Sequence, residues 1–151
     1  MTGQPTRIQV KVRPLVAQEA ERISELATQL GYPSTAEQIE TRLKWIADDP
    51  EHLTLVAENA QGLAIGWLHA FVARTVESDP WAEIAALIVD HQYRGQGAGR
   101  ELLARAEAWA RAQGVRTVRV RSNIVREVAR DFYIKLGFTL EKTQHAFSKK
   151  A

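Results

Sequence analysis

The chain of 151 residues contains no cysteine, which excludes a disulfide framework, a thiolate zinc site and a cysteine nucleophile. Any thiol chemistry has to arrive with a cofactor. Glycine and proline are few, at 9 and 5 residues, and 45% hydrophobic with 25% charged residues is an ordinary globular balance, which excludes collagen-like and disordered classes. Long apolar runs are missing too. The longest uncharged window, residues 59–73, spans 15 residues and includes Asn, Gln, two Gly and a His, short of the roughly 20 apolar residues of a membrane span. Residues 1–13 alternate polar and branched side chains without the apolar h-region of a signal peptide, so a cytoplasmic location is expected. The net charge of +2 comes with no basic run or basic helix face, and no nucleic-acid partner is expected. His52, His69, His91 and His145 form no H-x-x-x-H pair and adjoin no carboxylate cluster in sequence, so no metal is expected. A G-x-S-x-G serine elbow is absent as well.

The length suits one domain, residues 1–151, with one sizeable core. Charge is unevenly placed within it. Residues 1–93 hold 7 Lys and Arg against 13 Asp and Glu, whereas residues 94–151 hold 13 against 5. One part is suited to phosphates and the other to a cation, unless the two neutralise each other in the fold.

Residues 7–13 alternate Ile8, Val10 and Val12 with polar neighbours and predict a strand that Pro14 ends. Helical spacing predicts a helix over residues 15–30, stopped by Gly31-Tyr32-Pro33. A second is opened by Ser34 and Glu37 at capping-box spacing and broken by Asp48-Asp49-Pro50. Residues 52–58 and 63–76 read as antiparallel strands around the turn at 59–62. Residues 81–89 predict a central strand, with Ile84, Ala86 and Ile88 on one face and Ala85, Leu87 and Val89 on the other; Glu83 is its only charge. Leu102, Leu103, Ala106, Trp109 and Ala110 mark an amphipathic helix ended by Gly114. A strand over 115–122, a short helix over 125–136 ended by Gly137, and a β-leaning stretch over 138–147 complete the chain. This order predicts an α/β layered domain of mixed sheet with crossover helices.

The most specific feature is Arg94-Gly95-Gln96-Gly97-Ala98-Gly99-Arg100, between the predicted central strand and the amphipathic helix. A glycine-rich turn at a helix amino terminus lets unpaired N–H groups converge on an anion, assisted by the helix dipole. Arg94 and Arg100 flank it with charge. The Walker Lys-Ser/Thr pair is missing, and alternating glycines with Arg119 downstream do not fit a dinucleotide fingerprint. The alternative reading of the same glycines is a tight connection without a ligand.

The run from Arg94 to Gly99 matches the R/Q-x-x-G-x-G/A signature of the GNAT superfamily of acetyl-CoA-dependent N-acetyltransferases, which the chain resembles. A second block agrees: Ser122 to Phe138 is similar to the family's strand-helix segment, with Phe132, Tyr133, Gly137 and Phe138 forming F-Y-x-x-x-G-F. The resemblance implies a GNAT-type fold, a central mixed β-sheet with helices on both faces. In it, the strand at 81–89 splays from that at 115–122 to open a cleft for acetyl-CoA. It further implies that Leu87, Ile88 and Val89 pair their backbone with the pantetheine arm. Backbone N–H groups of Gly95, Gln96, Gly97, Ala98, Gly99 and Arg100, with Arg94, would hold the pyrophosphate. Asn123, in the pattern S-N-x-x-R-x-x-A-x-x-F-Y, would work from the strand end. Homodimers are common in the family, although no feature here demands one.

Amine attack on a thioester needs a neutral amine, stabilisation of the oxyanion and a proton for the leaving thiolate. The resemblance assigns the proton to Tyr133, about 100° around its helix from Phe132, so that Tyr133 can face the cleft while Phe132 packs inward. A packed tyrosine is the plainer reading. Glu83, alone in an apolar strand, is the candidate general base, against the reading that it marks the strand's wet end. The N–H of Leu87 or Ile88 would meet the oxyanion, and Trp81 and Trp45 are candidates for lining the acceptor pocket. The expected acceptor is a primary amine, either a small cationic molecule such as an aminoglycoside or polyamine near Asp48, Asp49, Glu51, Glu77 and Asp79, or a peptide amine. The rival expectation is a non-catalytic CoA-binding module serving as sensor or interaction platform.

Overall fold

The computed structural model describes residues 9–151. Two compact units divide the chain, the first ending at Val120 and the second comprising Arg121–Ala151. The first contains β1 (Lys11–Pro14), a 3₁₀ turn (Ala17–Glu19), α1 (Ala20–Gln29), α2 (Ala36–Ile46), β2 (His52–Glu58), β3 (Ala64–Thr75), β4 (Ser78–Val89), a second 3₁₀ turn (His91–Tyr93), α3 (Ala98–Ala112) and β5 (Val118–Val120). The sheet runs β1-β2-β3-β4-β5, antiparallel from β1 to β4 and parallel between β4 and β5. This is the mixed α/β sheet expected from the order of elements. Residues 7 and 8 of the first predicted strand lie outside the described residues; β1 runs on into Pro14, a residue an edge strand tolerates.

Local chemistry moves several boundaries. Helix α2 is capped one residue later than the Ser34–Glu37 spacing predicts: the Gln38 N–H donates to Thr35 Oγ1 at 3.1 Å, and Gln38 Oε1 accepts from the Thr35 N–H at 3.0 Å. The predicted strand at 115–122 shrinks to Val118–Val120, because only these residues find partners on β4.

Helices lie on both sides of the sheet. Ala20 and Ile23 of α1 and Ile39 of α2 pack with Val56, and Leu26 and Ala27 of α1 pack with Ile88, Trp67 joining both groups. On the other face, Ala110 of α3 and Val115 pack with Val72 and Ala82. Strict alternation along β4 fails at two points, one between Ser78 and Trp81 near the start of the strand and one in its middle. Ala70 pairs with Ile84 and His69 with Ala86, so Ala85 is an extra residue, a β-bulge. The bulge separates Ile84 from Ala86, which alternation puts on one face, and groups Trp81, Glu83, Ala86 and Ile88 on the face that α1 and α2 cover in part.

In the second unit, α4 (Glu127–Lys135) ends at Gly137, whose φ of 93° suits glycine. The β-leaning stretch at 138–147 is not a strand. Residues 138–151 carry no helix or strand and residues 139–151 are exposed, so the scattered apolar residues there lack the partner ladder that would hold them extended. Among the described residues no helix is long and apolar enough to cross a membrane.

Candidate active site

The two edges of β4 are unequally used. Ala82, Glu83 and Ile84 lie beside Val118, Arg119 and Val120, and the Ala82 N–H donates to the Thr117 carbonyl at 2.9 Å. Beyond Ile84, β5 has ended while β3 continues alongside to Val89. The Asp90 N–H donates to the Ile65 carbonyl, which fixes the parity of the antiparallel ladder. By that parity Ala86 and Ile88 turn their backbone groups to β3, while Leu87 and Val89 direct theirs to the edge that β5 does not reach. Of the three residues expected to meet the pantetheine arm, Leu87 and Val89 therefore offer backbone donors and acceptors there, and Ile88 does not.

The paired half of β4 carries polar chemistry on the face shared with α1 and α2. Glu83 is buried at 9% exposure and accepts a 2.8 Å hydrogen bond from Trp81 Nε1, which removes the wet-end reading. Arg119, abreast of Glu83, lays its guanidinium 4.3 Å from the centre of the Trp81 ring, and its Nε is buried without a hydrogen-bond partner. Phe71 pairs with Glu83 from the β3 side, and its ring packs with His52 and His69 at 5.6 and 6.1 Å. His52 Nδ1 and His69 Nε2 lie 3.0 Å apart, within one hydrogen bond. Burial, with His52 alongside, pushes His69 down to about 4, so it is neutral at physiological pH. Among the described residues no cluster of three metal-ligating side chains occurs.

The glycine-rich run closes the site at the end of β4. Gly95 and Gly97 have φ of 80° and 93°, and a Cβ at either would meet nothing within 4 Å; these glycines serve backbone conformation rather than space. Gly97 caps α3, and the first main-chain bond back into that turn is Glu101 N–H to Gly97 carbonyl. The N–H groups of Ala98, Gly99 and Arg100 thus have no partner within the helix. Arg94 and Arg100 are exposed, and among the described residues neither pairs with a carboxylate. Asp90 anchors the entry to this loop. It accepts from the Gln92 N–H at 3.0 Å and from Arg22 of α1 at 2.6 Å. Burial alone would raise its pKa, but these donors hold it below the usual carboxylate value. The unpaired amide row, the two arginines and the half-paired strand fit a ligand with a pyrophosphate and an amide-bearing arm, as acetyl-CoA has.

Tyr133 and Asn123 lie in the second unit. The Tyr133 ring meets Phe132 and Phe138 edge-on at 5.3 and 5.5 Å. Phe132 and Tyr133 are both half-buried, so the split into one inward and one outward ring is less sharp than helix geometry predicts. Burial pushes the Tyr133 phenol above its ordinary pKa. Asn123 Oδ1 accepts from the Val125 N–H at 3.2 Å, and the Asn123 carbonyl accepts from the Arg126 N–H at 2.9 Å, a turn that leads into α4. Of the two tryptophans named for the acceptor pocket, Trp81 sits beside Glu83, whereas Trp45 on α2 is 75% exposed. Of the acidic residues expected to meet a cation, Glu51 is paired with Arg74, and Asp49 accepts from the Glu51 N–H.

Sequence reasoning missed His52, His69 and Arg119. The histidine contact is readable once the 59–62 turn is taken to fix the register that sets His69 opposite Thr54 and Phe71 opposite His52. Arg119 has no comparable local signal.

A family model described as the acetyltransferase (GNAT) family matches residues 18–138. No curated protein matches the sequence. Among solved structures, the aminoglycoside N-acetyltransferase AAC(6')-Iy in complex with CoA is similar at 18% identity, covering 98% of this chain and 99% of its own, with a TM-score of 0.83. The aminoglycoside 6'-N-acetyltransferase AAC(6')-Ih from Acinetobacter baumannii is similar at 18% identity over 95% and 99% of the two chains, with a TM-score of 0.82. Glucosamine-6-phosphate N-acetyltransferase from Arabidopsis thaliana is similar at 19% identity over 94% and 99%, with a TM-score of 0.78. At these identities the likeness is one of fold.

Proposed function

Because the chain belongs to the GNAT family of acetyltransferases, and is on that ground an acetyl-CoA-dependent N-acetyltransferase, we propose that Glu83 and Tyr133 carry its proton transfers and that its acceptor is a primary amine on a small molecule. The single observation that carries this reading is the junction of a half-paired β4 with the glycine-capped amino terminus of α3. There Leu87 and Val89 present main-chain groups to the arm, while Gly95, Gln96, Gly97, Ala98, Gly99 and Arg100, with Arg94, meet the pyrophosphate.

Acetyl-CoA supplies the activated acetyl group as a thioester. Glu83 takes a proton from the incoming ammonium, since only the neutral amine attacks. Its burial and the Trp81 N–H hold the carboxylate in one orientation. The Leu87 N–H, on the edge without a β5 partner, donates toward the carbonyl oxygen. As the C–S bond breaks Tyr133 donates its phenolic proton to the leaving sulfur, and the proton that the nitrogen sheds on becoming an amide restores the phenol. Support for Tyr133 comes from its own unit: a phenol in the F-Y-x-x-x-G-F motif whose raised pKa keeps it protonated at neutral pH. Asn123 shapes the turn before α4 and so positions Tyr133. Aminoglycosides, an amino-sugar phosphate, polyamines and peptide amines form the panel for the acceptor.

Release of CoA thiol with this panel tests the reaction. Tyr133→Phe is expected to lower kcat by about 10² to 10⁴ while acetyl-CoA affinity stays within about threefold. Unchanged turnover removes Tyr133 as the acid.

A further inference from the structure

Resting on the transferase reading above, we propose that the acceptor carries an acidic group, a carboxylate or a phosphate, close to its amine, and that Arg119 holds that group. Among the described residues of the first unit, Arg13 engages Glu19 and Glu58, Arg22 engages Glu25 and Asp90, Arg74 engages Glu51, Arg42 donates to the Ser34 hydroxyl and Arg105 to the Val12 carbonyl, so each of these five finds an oxygen acceptor. Arg119 does not. Among the described residues it enters no ion pair and no hydrogen bond, its Nε is sealed from solvent without an acceptor, and its guanidinium lies on the face of Trp81.

A guanidinium cannot escape this situation by losing its proton. Stacking on Trp81 is cation–π in kind and uses the flat face of the group, which leaves the rim of N–H donors for an oxyanion in the guanidinium plane. Trp81 is itself fixed by its hydrogen bond to Glu83. Neighbouring strands are about 4.8 Å apart, so the paired positions Glu83 and Arg119 set an acidic and a cationic side chain abreast on one sheet face. Such a pair is complementary to a molecule whose ammonium lies within a few bonds of an oxyanion. It is a poor match to a polyamine, which would bring a second ammonium against the guanidinium.

Matched substrate pairs separate the sources of the anion: an α-amino acid against its amide, and an amino-sugar phosphate against the unphosphorylated amino sugar. The intact protein is expected to favour the acidic member of one pair by about 10- to 100-fold in kcat/KM, the size of a charge-assisted hydrogen bond, and the pair showing it names the group. Arg119→Gln should abolish the preference through KM, bringing kcat/KM for the acidic member down to that for the neutral one, and Arg119→Lys should restore part of it. Acetyl-CoA affinity, measured by titration calorimetry, reports that the variant is folded. Equal use of both members by the intact protein, or an equal loss on both in Arg119→Gln, overturns the proposal and leaves Arg119 a cover for Trp81. Turnover of polyamines alone overturns it while sustaining the transferase reading. Turnover of no amine removes that reading and this one with it.

Discussion

The two halves of β4 belong to one strand and are put to opposite uses. From Ala82 to Ile84 the strand has partners on both edges, so its main-chain groups are committed and only side chains remain to act: Glu83, with Trp81 beside it and Arg119 across. From Leu87 to Val89 it has β3 alone, its side chains are apolar, and its free main chain is what it can offer. The lesson is that the end of β5 at Val120 divides the site. Side-chain identity matters on one side of that point and backbone conformation on the other.

The largest effect should follow from altering the paired half. Glu83→Gln keeps the shape and the capacity to accept from Trp81 but removes the base. We expect kcat to fall by about 10² to 10⁴ with acetyl-CoA affinity within about threefold of the parent. Retained turnover would dissolve the contrast between the halves. Next in size is the loop that extends the backbone-driven half. Valine at Gly97 must adopt a φ of 93°, a strain of about 1 to 3 kcal/mol for a branched residue, or rebuild the turn. Acetyl-CoA affinity should drop by about 10- to 100-fold in Gly97→Val, measured by titration calorimetry, with kcat at saturation near the parent value. A loss confined to kcat would assign the loop to chemistry instead.

The contiguous motifs were readable because their geometry is local: the glycine run fixes a helix cap, and F-Y-x-x-x-G-F fixes α4 and its stop. Hairpin β2–β3 was equally plain from its turn. The faces of β4 were not, since period-2 reading assumes no inserted residue and Ala85 is one. Arg119 escaped notice for a related reason. Its importance arises only from the parallel pairing of β5 with β4, a contact between segments far apart in sequence. The same holds for the carboxyl-terminal stretch, where β-favouring residues without a partner strand form none.

A smaller effect probes the histidines on the face that Glu83 shares. His69 is neutral in the fold, held to about 4 by burial and by His52, against 6.5 without those influences. The unfolded chain therefore binds a proton that the folded chain refuses as pH falls from about 6.5 toward about 4, and stability declines across that window with no further change below it. Asp49, 3.9 Å from His52 Nε2, is half exposed and offsets little of this. Comparing denaturant unfolding at pH 7 and pH 4, His69→Phe should lose about 1 to 3 kcal/mol less than the parent. An identical pH dependence would show that the imidazole is solvated.

The smallest effect is the most discriminating. Leu87→Met exchanges one unbranched-at-Cβ apolar side chain for another of similar volume and leaves the N–H that faces away from β3 untouched. If the carboxyl-terminal half of β4 works through its main chain, kcat and acetyl-CoA affinity should both stay within about threefold, and the melting temperature should fall by only a few degrees. Replacing the Leu87 amide by an ester in a semisynthetic chain removes that N–H while keeping the side chain. It should lower kcat by about tenfold or more. The two changes act on one residue, so the reverse ranking, a damaging Met and a harmless ester, would place the function of this half in its side chains and undo the division at Val120.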